Sequence, residues 1–421
     1  NKKIFGSAIG LHIQPWGFTN RHFASLLAQV RPSPFLIHRG IATRKIEKIP
    51  SPSGCHIEVE FFNPSSPVSR HAPTIIILHG VGGHSREVYV EQAAIQIVKK
   101  GWRAVVLNYS KISITQEGSV GGNCLTESHD ISLLVSHLRK RHCGFLGAIG
   151  FSMGGTKLAN YILRTKEHCN LDAACTISSP LDFTIDNDTV HEPHANFVTS
   201  IYHFIVSSHL KLWMLKNYNV LRKHHSFQSS SLLDLSFWFT HLSVPEIDRA
   251  ITMPLKGRRE SDLMNYYIEA SSLRTLGDGL KIPFMCITAM NDPFIPPPVI
   301  PGREMAYSNQ NIFVVNTKCG GHIGYWRPEV GCWATNAAIS FFDSVKVNSN
   351  QAFKSKYLRQ AGSLDAAHSL QKSSTTGLTN YFDFVDLDSC SDLMDEDALK
   401  SLNRDRFVPY TESTIDVKKM L

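Results

Sequence analysis

Short apolar runs rich in β-branched residues punctuate the chain, and between them apolar positions recur every three or four residues. The runs are Thr74 to Leu78, Trp102 to Leu107, Phe145 to Phe151, Ala173 to Ser178, Ile282 to Ala289 and Asn311 to Val315. Runs this short, stopped by Gly, Pro, Asn or Ser, predict strands buried on both faces. Val90, Ala94, Ile97 and Val98 before Gly101, and Ile131, Leu134, Val135 and Leu138 before Gly144, have the spacing of a helix's buried stripe. Ile57 to Phe62 alternates after the Ser51 to Gly54 turn and predicts the start of a paired strand. Buried strands alternating with one-faced helices predict an α/β protein with a mostly parallel, doubly wound sheet.

The pattern also divides the chain. Residues 1–50 read as irregular, with Trp16, Phe18, Phe23 and Phe35 as anchors against a core made of 51–182 and 279–345. Residues 183–278 interrupt the series with aromatics and methionine at helical spacing: Phe197, Ile201, Phe204 and Ile205, then Leu212 to Leu215, then Phe237, Trp238 and Phe239. An insertion here predicts a helical cap over the sheet's carboxyl edge; its apolar residues suit either an acyl-chain lining or the cap's own core. Residues 346–421 are serine-rich with an acidic run from Asp392 to Asp397, and are expected to be a disordered tail.

Composition narrows the function. A hydrophobic content of 43% with 19% charged residues is that of a globular protein with a full core. The net charge of +7, with acids spread among the bases, does not indicate nucleic-acid binding; it leaves weak contact with anionic membrane surfaces open beside a plain solvated surface. Nine cysteines without a CxxC pair suggest neither a disulfide framework nor a zinc site, and favour a reducing compartment, cytoplasmic or peripheral to membranes. No metal or cofactor is called for. The sequons at Asn108 and Asn187 are triplets common by chance. No apolar run reaches the roughly 18 residues that span a bilayer, and a start at Asn1 leaves an upstream signal or anchor open. Oligomeric state is not readable.

The chemistry concentrates at the ends of the strand runs. Gly150-Phe151-Ser152-Met153-Gly154 follows one strand and precedes a helix-like stretch, the context of a nucleophile elbow, in which a strained turn points a serine hydroxyl outward. The glycine-rich turn His79 to Gly83 follows another strand, so the backbone N–H groups of Val81 and Met153 are the candidate oxyanion donors. Asp292, in Asn291-Asp292-Pro293-Phe294, is the candidate acid, with Asp182 after the Ala173 to Ser178 strand as its rival. His322, in Gly320-Gly321-His322-Ile323-Gly324, is the candidate base; His79 and His84 precede the serine and lie in the donor turn. Serine, acid and histidine in that order predict nucleophilic acyl transfer: His322 takes the Ser152 proton, and Asp292 fixes its tautomer.

Asn20-Arg21-His22, His79-Gly80 with Gly82-Gly83, Gly101-Trp102-Arg103, the Ser152 motif and the loops of Asp292 and His322 together resemble the YheT-like branch of the α/β-hydrolase superfamily. Abhydrolase-domain proteins one to three belong to that branch. Val244 to Asp248, Tyr266-Tyr267 and Ala270 to Ser272 resemble it as well, so the likeness runs over residues 19–345. It implies the α/β-hydrolase fold and hydrolysis of carboxylic esters, among them medium-chain esters, monoacylglycerols and phospholipids. Acyl transfer to an alcohol through the same acyl-enzyme is an alternative, and a non-catalytic ligand-binding protein is another. One departure stands in the loop after the Trp102 strand. The branch usually carries Asn-x-Arg-Gly there, and this chain has Asn108-Tyr109-Ser110-Lys111.

Overall fold

The computed structural model describes residues 20–30, 34, 40–51, 56–109, 113–115, 118–120, 124–142, 144–184, 197–223, 243–295, 299–327 and 331–360. Eight strands build the main sheet: β1 (Ala42–Pro50), β2 (His56–Pro64), β3 (Thr74–Leu78), β4 (Arg103–Asn108), β5 (Leu146–Phe151), β6 (Ala173–Ile177), β7 (Phe284–Ala289) and β8 (Ile312–Thr317). Their order is β1-β2-β4-β3-β5-β6-β7-β8. The β1–β2 and β2–β4 pairs are antiparallel, and every pair from β4 onward is parallel.

Helices cover both faces, which is why the central strands are apolar at every position. On β3, Ile75 and Ile77 face a cluster with α2 (Val88–Lys99), while Ile76 and Leu78 face one with α3 (His129–Arg141) and α4 (Met153–Thr165). The period of two within the strand thus sorts a continuous apolar run into two cores.

Both ends of the core differ from the sequence expectation. Residues 1–50 are not irregular throughout: α1 (Arg21–Val30) precedes β1, which pairs with β2 along its whole length. The β1 segment carries Arg44, Lys45, Glu47 and Lys48, so no apolar run betrays it. A buried ion pair helps hold this edge strand instead: Arg44 reaches Glu60 of β2 at 2.7 Å and Glu91 of α2 at 3.0 Å. At the other end, the last described helix runs Trp333–Gln360 and passes the boundary expected at 345. No glycine or proline occurs between those ends to stop it. The remaining residues of the expected tail, and Phe237 to Phe239, lie outside the described residues.

Between β6 and β7 the described chain is helical: α5 (Phe197–Lys216), short turns at Tyr218–Leu221 and Val244–Ile247, a π-helical turn at Asp248–Thr252, and α6 (Leu263–Ala270), with α7 (Trp333–Gln360) following β8. Val244–Ile247 starts on a capping box: Ser243 Oγ accepts the Glu246 N–H at 3.4 Å, and Glu246 accepts the Ser243 N–H at 2.8 Å. Leu210, Met214, Leu221, Ile247 and Ile251 form this segment's own small core, whereas Phe204, Leu212 and Leu215 stay exposed. Among the described residues no helix is long and apolar enough to cross a membrane.

Candidate active site

Parallel strands deliver their following loops to one edge of the sheet, and β3, β5, β7 and β8 bring the candidate groups there. Ser152 sits at the β5–α4 turn with φ 51° and ψ −125°, a conformation a side chain rarely adopts. The turn closes only because its flanks are glycine: a Cβ on Gly150 would collide with the α4 backbone at Gly155, and one on Gly154 with the carbonyl end of β3. The Ser152 N–H donates to the Ile177 carbonyl at 3.0 Å, tying the strained residue to β6.

Asp292 follows β7 and is buried, its Oδ1 accepting the Phe294 N–H at 2.9 Å. His322 follows β8 and is also buried. Its Nδ1 lies 3.0 and 3.1 Å from the two Asp292 oxygens, and its Nε2 lies 3.0 Å from Ser152 Oγ. An ionised carboxylate can only accept, so it selects the tautomer with the proton on Nδ1 and leaves Nε2 to accept from the serine hydroxyl. The Phe294 ring packs on the imidazole with centroids 4.5 Å apart.

The histidine loop is held through its backbone. His322 N–H donates to Ser25 Oγ of α1 at 2.8 Å, Ile323 N–H to Ser178 Oγ at 3.2 Å, and Gly321 N–H to Asn291 Oδ1 at 3.0 Å. Ile323 is itself at φ 64°, a second strained residue in the same constellation. Sequence reasoning missed Ser25 and Ser178. The signal for the first was Asn20, whose Oδ1 accepts the His22 and Phe23 N–H groups at 2.9 and 3.2 Å and so caps α1.

The donor turn is clamped by two tyrosines, also missed. Tyr89 OH accepts the Gly80 N–H at 2.8 Å, and Tyr109 OH donates to the His79 carbonyl at 3.1 Å. Tyr109 lies against the His79 ring at 4.3 Å, with the Lys157 ammonium 4.0 Å above the tyrosine ring. Burial pushes the His79 imidazole down to about 4, so this ring is neutral at ordinary pH. Among the described residues, no acceptor takes the N–H of Val81 or Met153. Both residues line a cavity with Ser152 and His322.

The remaining candidates do not join this cluster. Asp182 borders the cavity but accepts from Thr184 N–H and hydroxyl at 2.8 and 2.6 Å, with Arg274 at 3.5 Å. His84 is exposed beside Glu87. Of the departing loop only Asn108 and Tyr109 are described, and Asn108 is engaged with Ser85, 2.8 Å from its N–H. The second sequon, at Asn187, falls outside the described residues. Where the inserted segment meets it, the cavity wall is mostly apolar, at Val206 and Leu210 of α5, Val244, and Tyr266 and Tyr267 of α6, with His209 of α5 among them. One acid interrupts that wall: Asp248 accepts from Tyr267 OH at 2.9 Å and Thr252 hydroxyl at 2.5 Å, and burial pushes its carboxyl up to about 6.

No protein-family model matches this chain. Individual relatives do. Phospholipase ABHD3 of Mus musculus is 28% identical over 312 residues, covering 71% of this chain and 70% of that protein. Monoacylglycerol lipase of Saccharomyces cerevisiae is 26% identical over 365 residues, covering 78% and 77%. Medium-chain fatty acid ethyl ester synthase/esterase 2 of the same yeast is 28% identical over 293 residues, covering 64% and 62%. Carboxyl esterase 2 of the fungus Tuber melanosporum superposes with a TM-score of 0.47 at 16% identity, over 79% of this chain and 99% of that one. The eight-stranded, mostly parallel sheet with helices on both faces is that of an α/β-hydrolase fold, and in sequence the chain is similar to abhydrolase-domain proteins, lipases and esterases.

Proposed function

We propose that Ser152, His322 and Asp292 act as a catalytic triad that hydrolyses acyl esters, with medium-chain esters and monoacylglycerols as the substrate class. The hydrogen-bonded chain from Asp292 through His322 to Ser152 Oγ, at 3.0 to 3.1 Å per link, carries this reading. Ser152 Oγ attacks the ester carbonyl as its proton passes to His322 Nε2. The carbonyl π pair moves onto oxygen, where the N–H groups of Val81 and Met153 receive it. Collapse of this tetrahedral adduct expels the alcohol, which takes the proton from Nε2 and leaves an acyl-serine. Water then adds by the same path in reverse, releasing the carboxylic acid and restoring the serine. Asp292 holds the imidazole and stabilises its charged form. The apolar wall and the names of the lipase and esterase relatives support an acyl chain as the occupant.

Ser152→Ala tests the reading. Hydrolysis of a medium-chain p-nitrophenyl ester should fall by about ten-thousandfold and fluorophosphonate labelling should vanish, while folding is unchanged by circular dichroism. Retained turnover overturns the assignment. Asp292→Asn should lose far more activity than Asp182→Asn, and the opposite ranking would move the acid to Asp182. One relative's name couples ester synthesis with ester hydrolysis. The alcohol acyltransferase reading is therefore kept: with ethanol added, it predicts ethyl ester at the expense of free acid.

A further inference from the structure

We propose that the outer face of α5 docks on an anionic lipid surface and sets the mouth of the cavity against the bilayer. Helix α5 is two-sided. Val206 and Leu210 border the cavity, and Met214 fills the segment's small core. The opposite face is apolar and open: Phe204 is 57% exposed, Leu212 53% and Leu215 52%. At 100° per residue these three and Lys216 fall within an arc of about 120°. Singly exposed apolar residues are ordinary, but an aligned row on a helix that lines a substrate cavity is not.

Charge selects the occupant. The described stretch 197–223 contains no aspartate or glutamate, and its end carries exposed Lys216, Arg222 and Lys223. An apolar helical face ending in cations, with no acid, is the pattern of a helix that lies in the headgroup boundary of an anionic membrane. The other exposed apolar pair on this segment, Met264 and Ile268 of α6, lies close in sequence to Asp262 and Glu269 and lacks that complementarity. Docking through α5 would bring acyl lipids to a cavity bordered by the same helix; in that respect it rests on the proposed action on acyl esters.

The test is co-sedimentation of the full chain with vesicles of phosphatidylcholine alone and with about 30% phosphatidylserine added. Wild type should bind the anionic vesicles about tenfold or more tightly than the neutral ones, with the difference vanishing at high salt. Leu212→Glu/Leu215→Glu should lose that binding by a similar factor. Met264→Glu/Ile268→Glu should retain it. Both variants should keep wild-type turnover of a short soluble p-nitrophenyl ester, which shows that they fold. Equal binding to the two vesicle types, or unchanged binding by the α5 variant, overturns the proposal. A wild-type dimer that the α5 variant turns into a monomer, without vesicle binding, assigns the face to a second copy and also overturns it. Failure of wild type to cleave the soluble ester would count against the hydrolase reading alone, since vesicle binding is read separately.

Discussion

The turn from His79 to Gly83 shows how side chains outside the chain of Asp292, His322 and Ser152 set the geometry of the site. Tyr89 and Tyr109 grip the same peptide group from its two ends, one through the Gly80 N–H and the other through the His79 carbonyl. That peptide precedes Val81, so its orientation governs where the Val81 N–H points. Tyr109→Phe keeps the ring on His79 and under Lys157 but removes the donor to a carbonyl whose residue is buried. We expect kcat to fall about tenfold with KM little changed, because a displaced oxyanion donor is felt in the transition state and not in substrate binding. Steady-state kinetics on a soluble ester decide it; a rise in KM at constant kcat would place Tyr109 in substrate binding instead. At this scale the side chains that the fold brings together at Ser152 were legible in the sequence, and those that hold them in place were not. Ser152, Asp292 and His322 each lie in the turn or loop that follows an apolar run, in a chain order that chemistry constrains. Tyr109 was visible only as a departure from the branch, and nothing near Tyr89 in sequence hints at a bond to Gly80.

Elements far from the sheet's centre carry part of the site as well. Helix α1 reaches the histidine loop through Ser25, and its Ala24 backbone packs so closely on Gly324 that a Cβ there would not fit. Ser25→Ala leaves the buried His322 N–H without its acceptor, a loss of about 1 to 3 kcal/mol. Chemical denaturation should show that drop, and kcat should fall with it as the imidazole loses its anchor; Ser25→Thr, which restores a hydroxyl, should recover both. Unchanged kcat in the alanine variant would limit α1 to a structural role. The strands of the parallel region were legible because burial on both faces makes them continuous apolar runs, as in Thr74 to Leu78. Strand β1 was not, because it is an edge strand whose charged residues break the apolar pattern, with Arg44 paired to Glu60 of β2. Helix α1 was hidden for a related reason: ten residues are too few to be helical by propensity, and its support comes from the core it packs on.

Across the whole molecule, two buried groups at the site pull stability in opposite directions with pH. The Asp248 carboxyl is raised from its ordinary 3.8 to about 6 by burial. Between those values the folded state keeps a proton that the unfolded chain has released, so its contribution is present at low pH and is lost as pH rises, by about 3 kcal/mol. His79 is lowered from 6.5 to about 4, also by burial. There the unfolded chain takes up the proton first as pH falls, so stability is full above pH 6.5 and is lost toward pH 4, again by about 3 kcal/mol. His142, half-buried beside Arg103 and lowered to about 4, adds a smaller effect of the same sign as His79. The two large slopes nearly cancel, so wild type should show only a shallow rise in unfolding free energy from pH 4 to 6.5. Single substitutions should uncover them. Relative to wild type, Asp248→Asn should gain about 3 kcal/mol on going from pH 4 to 7, whereas His79→Asn should lose about as much over the same range. Urea unfolding across that range measures both differences. A pH-independent difference for either variant would mean that the group titrates alike in the folded and unfolded chain, and that its burial does not bias its protonation.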